Sequence, residues 1–214
     1  MVFEDRYDAG RQLASRLEFL RSQPNTIVLA LPRGGVPVGN EVARALNLPL
    51  DIFLVRKLGT PGQEELALGA LTSDGTTVFN ADVIHDLHIS QSAIDHVIAR
   101  EKVELQRREE QYRGGEPPLP LEGQTVILVD DGLATGASML AAVRALRPVA
   151  KRIIVAAPVA ASSTCNDFRR EGIEILALDT PAHFGAVGAF YHDFSQTTDD
   201  EVRTLLAQSR QHSN

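Results

Sequence analysis

The chain has no tryptophan, one cysteine, few aromatic residues and no excess of positive charge. Each shortage removes a class of explanation. Cys165 cannot close an internal disulfide and has no cysteine partner for a zinc site, so a disulfide scaffold and redox chemistry are excluded, and it reads as a small helix residue. No apolar run approaches the roughly 18 residues of a bilayer-spanning helix, and no membrane partner is expected. The amino-terminal text Met-Val-Phe-Glu-Asp-Arg-Tyr lacks a basic start followed by an apolar core, which leaves the cytoplasm as the expected location. Acidic residues outnumber basic ones 28 to 21, and a net charge of −7 opposes general affinity for a phosphate backbone, so nucleic acid is not an expected partner. The six histidines show no HExxH-like spacing. No Ser-His-Asp arrangement or metal-ligand cluster is evident. No G-x-G-x-x-G follows the first apolar strand, which excludes a Rossmann dehydrogenase.

What is present is an alternation of helical and strand patterns in 214 residues, enough for one domain that buries a full sheet. Leu13, Leu17 and Leu20 predict an amphipathic helix over 6–22, and an apolar run predicts a strand over 26–31. Val38, Val42 and Leu46 mark the next helix, followed by a second strand over 50–55. Between 56 and 80 glycine and polar residues predict a long loop and a hairpin, with short β-like runs at 66–71 and 76–79. A polar helix over 90–112 carries Ile94, Ile98, Leu105 and Tyr112 on one face, while Glu101, Lys102 and residues 107–110 read as a solvated face. After the proline-rich connector at 114–120, the pattern continues as a strand from 126, a helix over 138–146, a strand over 152–159, a helix over 162–171 and a strand over 173–178. A capping box from Thr198 to Glu201 opens a last helix with Val202, Leu205 and Leu206. The expected class is α/β, a mostly parallel central sheet flanked by helices, in a single domain over 1–214 with its core at 26–178.

The chemistry concentrates in Val126-Ile-Leu-Val-Asp130-Asp131-Gly-Leu-Ala134-Thr135-Gly136-Ala137-Ser138. Four consecutive apolar residues suit a central parallel strand, and ligands in such sheets collect at the carboxyl ends, where Asp130 and Asp131 would sit. Thr135, Gly136, Ala137 and Ser138 then supply small side chains, hydroxyls and backbone N–H groups at a helix start, where the dipole favours an anion. Carboxylates repel phosphate but accept hydrogen bonds from neighbouring sugar hydroxyls and orient a hydrated Mg²⁺. Together these features suit ribose 5-phosphate. At the end of the first strand, Pro32-Arg33-Gly34-Gly35 places a cation and flexible backbone amides on the same edge, where a diphosphate fits. A plain tight turn is the alternative there, and a buried strand with a capped helix is the plainer reading of the longer motif.

The thirteen-residue motif resembles, without a gap, the signature of the type I phosphoribosyltransferases, which bind phosphoribosyl diphosphate. The resemblance implies that Asp130 and Asp131 hold the ribose hydroxyls and that Thr135, Gly136 and Ser138, with Ala137 between them, wrap the 5-phosphate. Arg33, Gly34 and Gly35 match the family's pyrophosphate loop. Arg56 and Lys57 match, in placement, a basic strand end that meets the diphosphate or the incoming group. The segment from Gly59 to Glu65 is similar in placement to a mobile loop that closes over the reaction, with glycine hinges. Diphosphate would be displaced from the anomeric carbon by a nitrogen nucleophile, with Mg²⁺ carried mainly by the substrate near Asp130 and Asp131 and no direct protein metal site.

Members that use 6-oxopurines place an acidic residue where this chain has Ala134, so the local text looks closer to adenine phosphoribosyltransferase. In that enzyme a loop glutamate serves the base; Glu64 or Glu65 could do so here, although a solvated surface charge is the plainer reading of each. The resemblance also implies a hood, here 1–24 and 179–214, in which Phe184, Phe190 and Tyr191 could stack on a base or pack the cap onto the sheet. His183 and His192 flank them and read as structural. The expected activity is therefore a Mg²⁺-dependent glycosyltransferase acting on phosphoribosyl diphosphate and a nitrogenous base, a purine above others, in nucleotide salvage. The alternative is a non-catalytic sensor of phosphoribosyl diphosphate or a nucleotide with a regulatory role; the low isoelectric point, near 5.4, argues against a direct nucleic-acid regulator. A homodimer is expected only by family analogy.

Overall fold

The computed structural model describes residues 1–212. Helix α1 (Arg6–Arg16) leads into β1 (Thr26–Ala30), and α2 (Gly35–Leu46) connects it to β2 (Leu50–Ile52). Three strands follow, β3 (Val55–Thr60), β4 (Gln63–Thr72) and β5 (Thr77–Phe79), then α3 (Ala81–Asp86) and the long α4 (Gln91–Arg113). The chain continues through β6 (Thr125–Val129), α5 (Ala137–Leu146), β7 (Arg152–Val159), α6 (Ser162–Arg170), β8 (Glu174–Asp179) and α7 (Asp199–His212).

The main sheet has the order β2-β1-β6-β7-β8, and every pairing in it is parallel. Side chains along a strand alternate between faces, and both faces here are covered. Val28, Ala30, Ile127 and Val129 join one core with α1, α2 and α7, whereas Ile27, Leu29, Val126 and Leu128 join the other with α5 and α6. Double coverage explains why the strands read as continuous apolar runs. Numbered by its parallel strands alone, the order is 2-1-3-4-5, with its switch point between β1 and β6. In such sheets the crevice at the carboxyl ends of the two strands flanking the switch is the ligand position.

Strand two ends earlier than its apolar text suggests. The Phe53 N–H still reaches the Ala30 carbonyl at 3.0 Å, but the Leu54 N–H goes to the Ser73 hydroxyl at 3.1 Å and the Leu54 carbonyl accepts from the Ser73 N–H at 2.9 Å. The chain has changed sheets. The expected hairpin is present, its β-like runs at 66–71 and 76–79 falling in β4 and β5, but the stretch expected as a loop from 56 carries a further strand, β3, and the three form an antiparallel sheet of order β3-β4-β5 packed against α4 and α5. Arg56 and Lys57 accordingly lie within β3, opposite Leu71 and Ala70, and do not end β2.

Helix α4 is fixed to the main sheet at its far end. Arg113 and Asp51 form a buried ion pair; the guanidinium also donates to the Ile52 carbonyl at 3.0 Å, and the other Asp51 oxygen accepts from the Leu119 N–H at 2.9 Å. These bonds offset most of the cost of burying the pair, while Arg113 Nε has no hydrogen bond and lies 3.7 Å from Glu109 Oε1. The anchor lays the middle of α4, including Leu105, along the carboxyl edge of the sheet, so Glu101 is buried and does not belong to a solvated face.

Candidate functional site

The loops after β1 and β6 meet at the switch point. The Leu31 N–H donates to the Val129 carbonyl at 2.9 Å, which holds the Leu31–Gly35 loop against the end of β6, and the Pro32–Arg33 peptide bond is cis. Both glycines are needed for the approach. A Cβ on Gly34 would overlap the Asp131 carboxylate, and one on Gly35 would stand 2.8 Å from the Val129 carbonyl oxygen and 3.2 Å from Asp130 Oδ1. The segments read separately in the sequence are therefore one surface.

The two acids at this edge have different partners. Asp130 Oδ1 accepts from the Asp131 N–H at 2.9 Å, and burial together with the neighbouring Asp131 charge raises the Asp130 carboxyl well above the ordinary aspartate range. Asp131 Oδ2 accepts from Arg6 Nε at 2.8 Å, with the two side chains 14% and 10% exposed. Burial also raises Asp131, and the Arg6 guanidinium opposes that rise. Arg6 is held in turn by the Ser195 carbonyl at 2.8 Å and lies 3.9 Å from the Phe194 ring centre, a cation–π contact. Asp131 is thus tied to α1 and to the segment before α7, while Asp130 faces a cavity.

That cavity has a volume of about 100 Å³ and lies between Leu31 and Pro32, the Phe53–Arg56 turn, Asp130, Ser138, and Leu105 with Arg108 of α4. Arg56 donates from Nε and NH2 to Glu101 Oε2 at 2.9 and 2.6 Å. Arg108 donates from Nε to Glu104 Oε1 at 2.8 Å, and the hydrogen bonds from Arg107 and Arg108 hold Glu104 down to about 2. Among the described residues no three His, Cys, Asp or Glu side chains are grouped to hold a metal ion. Asp130 is an oxygen donor of the kind a hard cation takes, so the site fits an ion whose other ligands come from a bound phosphate.

Helix α5 begins beside Asp130. Gly136 adopts φ +70°, and a Cβ there would lie 2.7 Å from Thr164 Cγ2 and 3.0 Å from the Phe168 ring, so α6 presses on this turn from behind. The Ala134 carbonyl accepts from the Thr164 hydroxyl, and Ala134, Thr135, Ala137 and Ser138 are exposed at the helix start. A positive helix end open to solvent next to the acid pair can receive an anion.

Other sequence-derived candidates lie farther out. Arg33 NH1 is 3.6 Å from Asp199 Oδ1, a carboxylate that also accepts from the Tyr112 hydroxyl at 2.8 Å and from Gln111 at 2.9 Å. Lys57 is exposed on β3. The Gly59–Glu65 segment is the β3–β4 hairpin, in which a Cβ on Gly59 would stand 2.8 Å from the Glu64 carbonyl oxygen. Glu64 lines a separate cavity of about 480 Å³ with His96 and Arg100, and the side chain of Glu65 lies outside the described part. Tyr191 is buried between Phe3 and Phe194, at ring distances of 5.5 and 5.1 Å, and donates its hydroxyl to the Asp131 carbonyl at 2.6 Å. It packs the terminal segments onto the signature loop and presents no face for stacking. Phe190 packs on the same cluster, and Phe184 lies 5.3 Å from Phe190.

Sequence reasoning passed over Arg6 and Arg108. Nothing local marks Arg6, since its partners are 125 and 189 residues away. Arg108 did leave a signal: it follows Leu105 by three positions and Glu101 by seven, on the helix face that Leu105 identifies as buried.

The family model for the phosphoribosyl transferase domain matches residues 3–194. Two provisionally named phosphoribosyl transferases, from two strains of Mycobacterium tuberculosis, are each 47% identical to the chain over 206 residues, covering 96% of it and 46% of their own length. The chain thus spans about half the length of the curated relatives it matches. The crystal structure of TT1426 from Thermus thermophilus has a TM-score of 0.86 at 42% identity, covering 97% of this chain and 99% of that one. A hypothetical protein from Neisseria gonorrhoeae shares the fold at 13% identity, with a TM-score of 0.50 over 98% of this chain and 99% of its own.

Proposed function

The chain belongs to the phosphoribosyl transferase family, with a type I arrangement of its sheet, and we propose that it moves ribose 5-phosphate from phosphoribosyl diphosphate to a nitrogenous base, releasing diphosphate. The observation that carries this reading is the convergence, at one switch point, of Asp130, the Gly34–Gly35 turn and the open start of α5. In this reading the exposed N–H groups and hydroxyls of Thr135–Ser138 bind the 5-phosphate, and Asp130 accepts from the ribose hydroxyls. Asp131, fixed by Arg6, supports the loop and turns Asp130 toward the cavity.

The reaction forms a bond from the base nitrogen to the anomeric carbon as the carbon–oxygen bond to diphosphate breaks, its electron pair leaving with diphosphate; the base nitrogen then sheds its proton. In this reading Arg56 and the Arg33 and Gly34 N–H groups hold the departing charge, the Arg33 side chain joins them on leaving Asp199, and the apolar wall of the cavity keeps that charge from water. A magnesium ion carried by the diphosphate near Asp130 would neutralise part of the same charge. Ala134 in place of an acidic residue supports a base other than a 6-oxopurine, with adenine the first choice.

The test is a panel of purine and pyrimidine bases incubated with phosphoribosyl diphosphate and Mg²⁺, read as diphosphate release. Turnover with adenine supports the full reading, turnover with another base corrects the acceptor, and binding of phosphoribosyl diphosphate with no turnover across the panel replaces the enzyme with a sensor.

A further inference from the structure

One face of α4 is unlike the rest of that helix. Glu101, Glu104, Leu105 and Arg108 fall at spacings of three, four and seven, so they share a side. Leu105 and Arg108 from this side line the cavity that also holds Arg56, Asp130 and Ser138. The two carboxylates between them hold the arginines in place: Glu101 takes Arg56 through two donors, and Glu104 takes Nε of Arg108. Two guanidiniums thus line a cavity otherwise walled by such residues as Phe53 and Leu105. Fixed planar forks in a partly apolar hollow match the paired oxygens of phosphoryl groups, and the surroundings strengthen the attraction.

We propose that Arg108 is a binding residue for the diphosphate group of the sugar substrate, brought to the cavity by α4 opposite the signature turn and acting beside Arg56. This inference rests on the phosphoribosyltransferase reading and adds to it a ligand that neither the signature nor the Arg33–Gly35 turn contains. Glu104 is then a positioning residue, since it touches Arg108 and does not line the cavity. The neighbouring Arg107 shares Glu104 through Nε and NH2 but does not line the cavity, which makes it a control of equal charge.

The experiment is calorimetric titration of the whole chain with inorganic diphosphate and, separately, with ribose 5-phosphate, using wild type, Arg108→Ala, Arg108→Lys and Arg107→Ala, each checked for folding by thermal melting. Loss of a charge-assisted hydrogen bond predicts about a tenfold to hundredfold weaker diphosphate affinity in Arg108→Ala. Partial recovery is expected in Arg108→Lys, with less than about a threefold change for ribose 5-phosphate in either variant and for both ligands in Arg107→Ala. Diphosphate affinity in Arg108→Ala equal to wild type, or absence of diphosphate binding by wild type, overturns the inference. Equal losses for both ligands, or equal losses in Arg107→Ala, reduce Arg108 to general electrostatics and overturn it too. Failure of wild type to bind ribose 5-phosphate strikes the functional reading instead, so the two failures are distinguishable.

Discussion

Asp130→Asn and Asp131→Asn are the same isosteric exchange at adjacent positions, and the structure gives them opposite effects on stability. Burial and the Asp131 charge raise the folded pKa of Asp130, so the folded chain binds that proton more tightly than the unfolded chain does. Its contribution to stability is then lost as pH rises from the unfolded aspartate value through the folded one, and above that the fold bears the cost of a buried carboxylate. Asparagine removes the charge and keeps an oxygen for the Asp131 N–H. A gain of about 1 kcal/mol at pH 8 is expected, which for a chain of this length raises the melting temperature by roughly 3 °C. The gain shrinks to nothing toward about pH 4, the unfolded aspartate value. In Asp131→Asn burial again favours the neutral form, but the exchange also leaves the Arg6 guanidinium without its counter-ion in a nearly closed setting, and the cost of that uncompensated charge sets the sign. A charge-assisted hydrogen bond of this kind is worth roughly 2 kcal/mol, so the melting temperature falls by about 6 °C. Thermal melts of both variants and wild type between pH 4 and 9 provide the assay. An Asp130→Asn variant that melts below wild type at pH 8, or a gain unchanged by pH, refutes the assignment of Asp130 as the buried, cost-bearing acid.

Gly34→Ala forces a methyl group into the Asp131 carboxylate; overpacking of this sort costs roughly 1–3 kcal/mol, and phosphoribosyl diphosphate affinity should fall with it, as melting and calorimetry on one preparation would show. Gly136→Ala combines a left-handed backbone with a contact 2.7 Å from Thr164, so roughly 1–2 kcal/mol of backbone strain adds to a displaced α6, and a Thr164→Ser background should recover part of the loss in a double-mutant cycle. Turnover should stop on chelation of divalent cations and return with Mg²⁺, measured as diphosphate release; full activity in chelator would remove the ion from the mechanism.

The main sheet was legible because β1, β6 and β7 are buried on both faces and leave unbroken apolar text, and because β7 spans the same residues, Arg152–Val159, in text and structure. The switch from β2 to β3 was not. Leu50 to Val55 is one apolar run, and what divides it is pairing with Ser73, a tertiary choice that local pattern does not carry. Strands β4 and β5 left their β-like runs in the sequence, but β3 was hidden because its Gly59 reads as a loop residue, whereas a Cβ there would stand 2.8 Å from the Glu64 carbonyl oxygen of the neighbouring strand. At the site, the signature and the Arg33–Gly35 turn were visible as motifs, since their residue types suit an anion and a diol at a sheet edge. Arg6 was invisible because ion pairs across the fold have no sequence period. Tyr191 was visible only as an aromatic, and its hydroxyl bond to the Asp131 carbonyl decides between packing and stacking.

The proposed activity stands on a cradle formed by Asp130 and the start of α5. A crystal structure of the protein with ribose 5-phosphate tests it most directly. The expected result is the phosphate against the backbone of Thr135–Ser138 and the sugar hydroxyls on the Asp130 carboxylate; a phosphate bound away from that helix start, with Asp130 making no contact to the sugar, would contradict it.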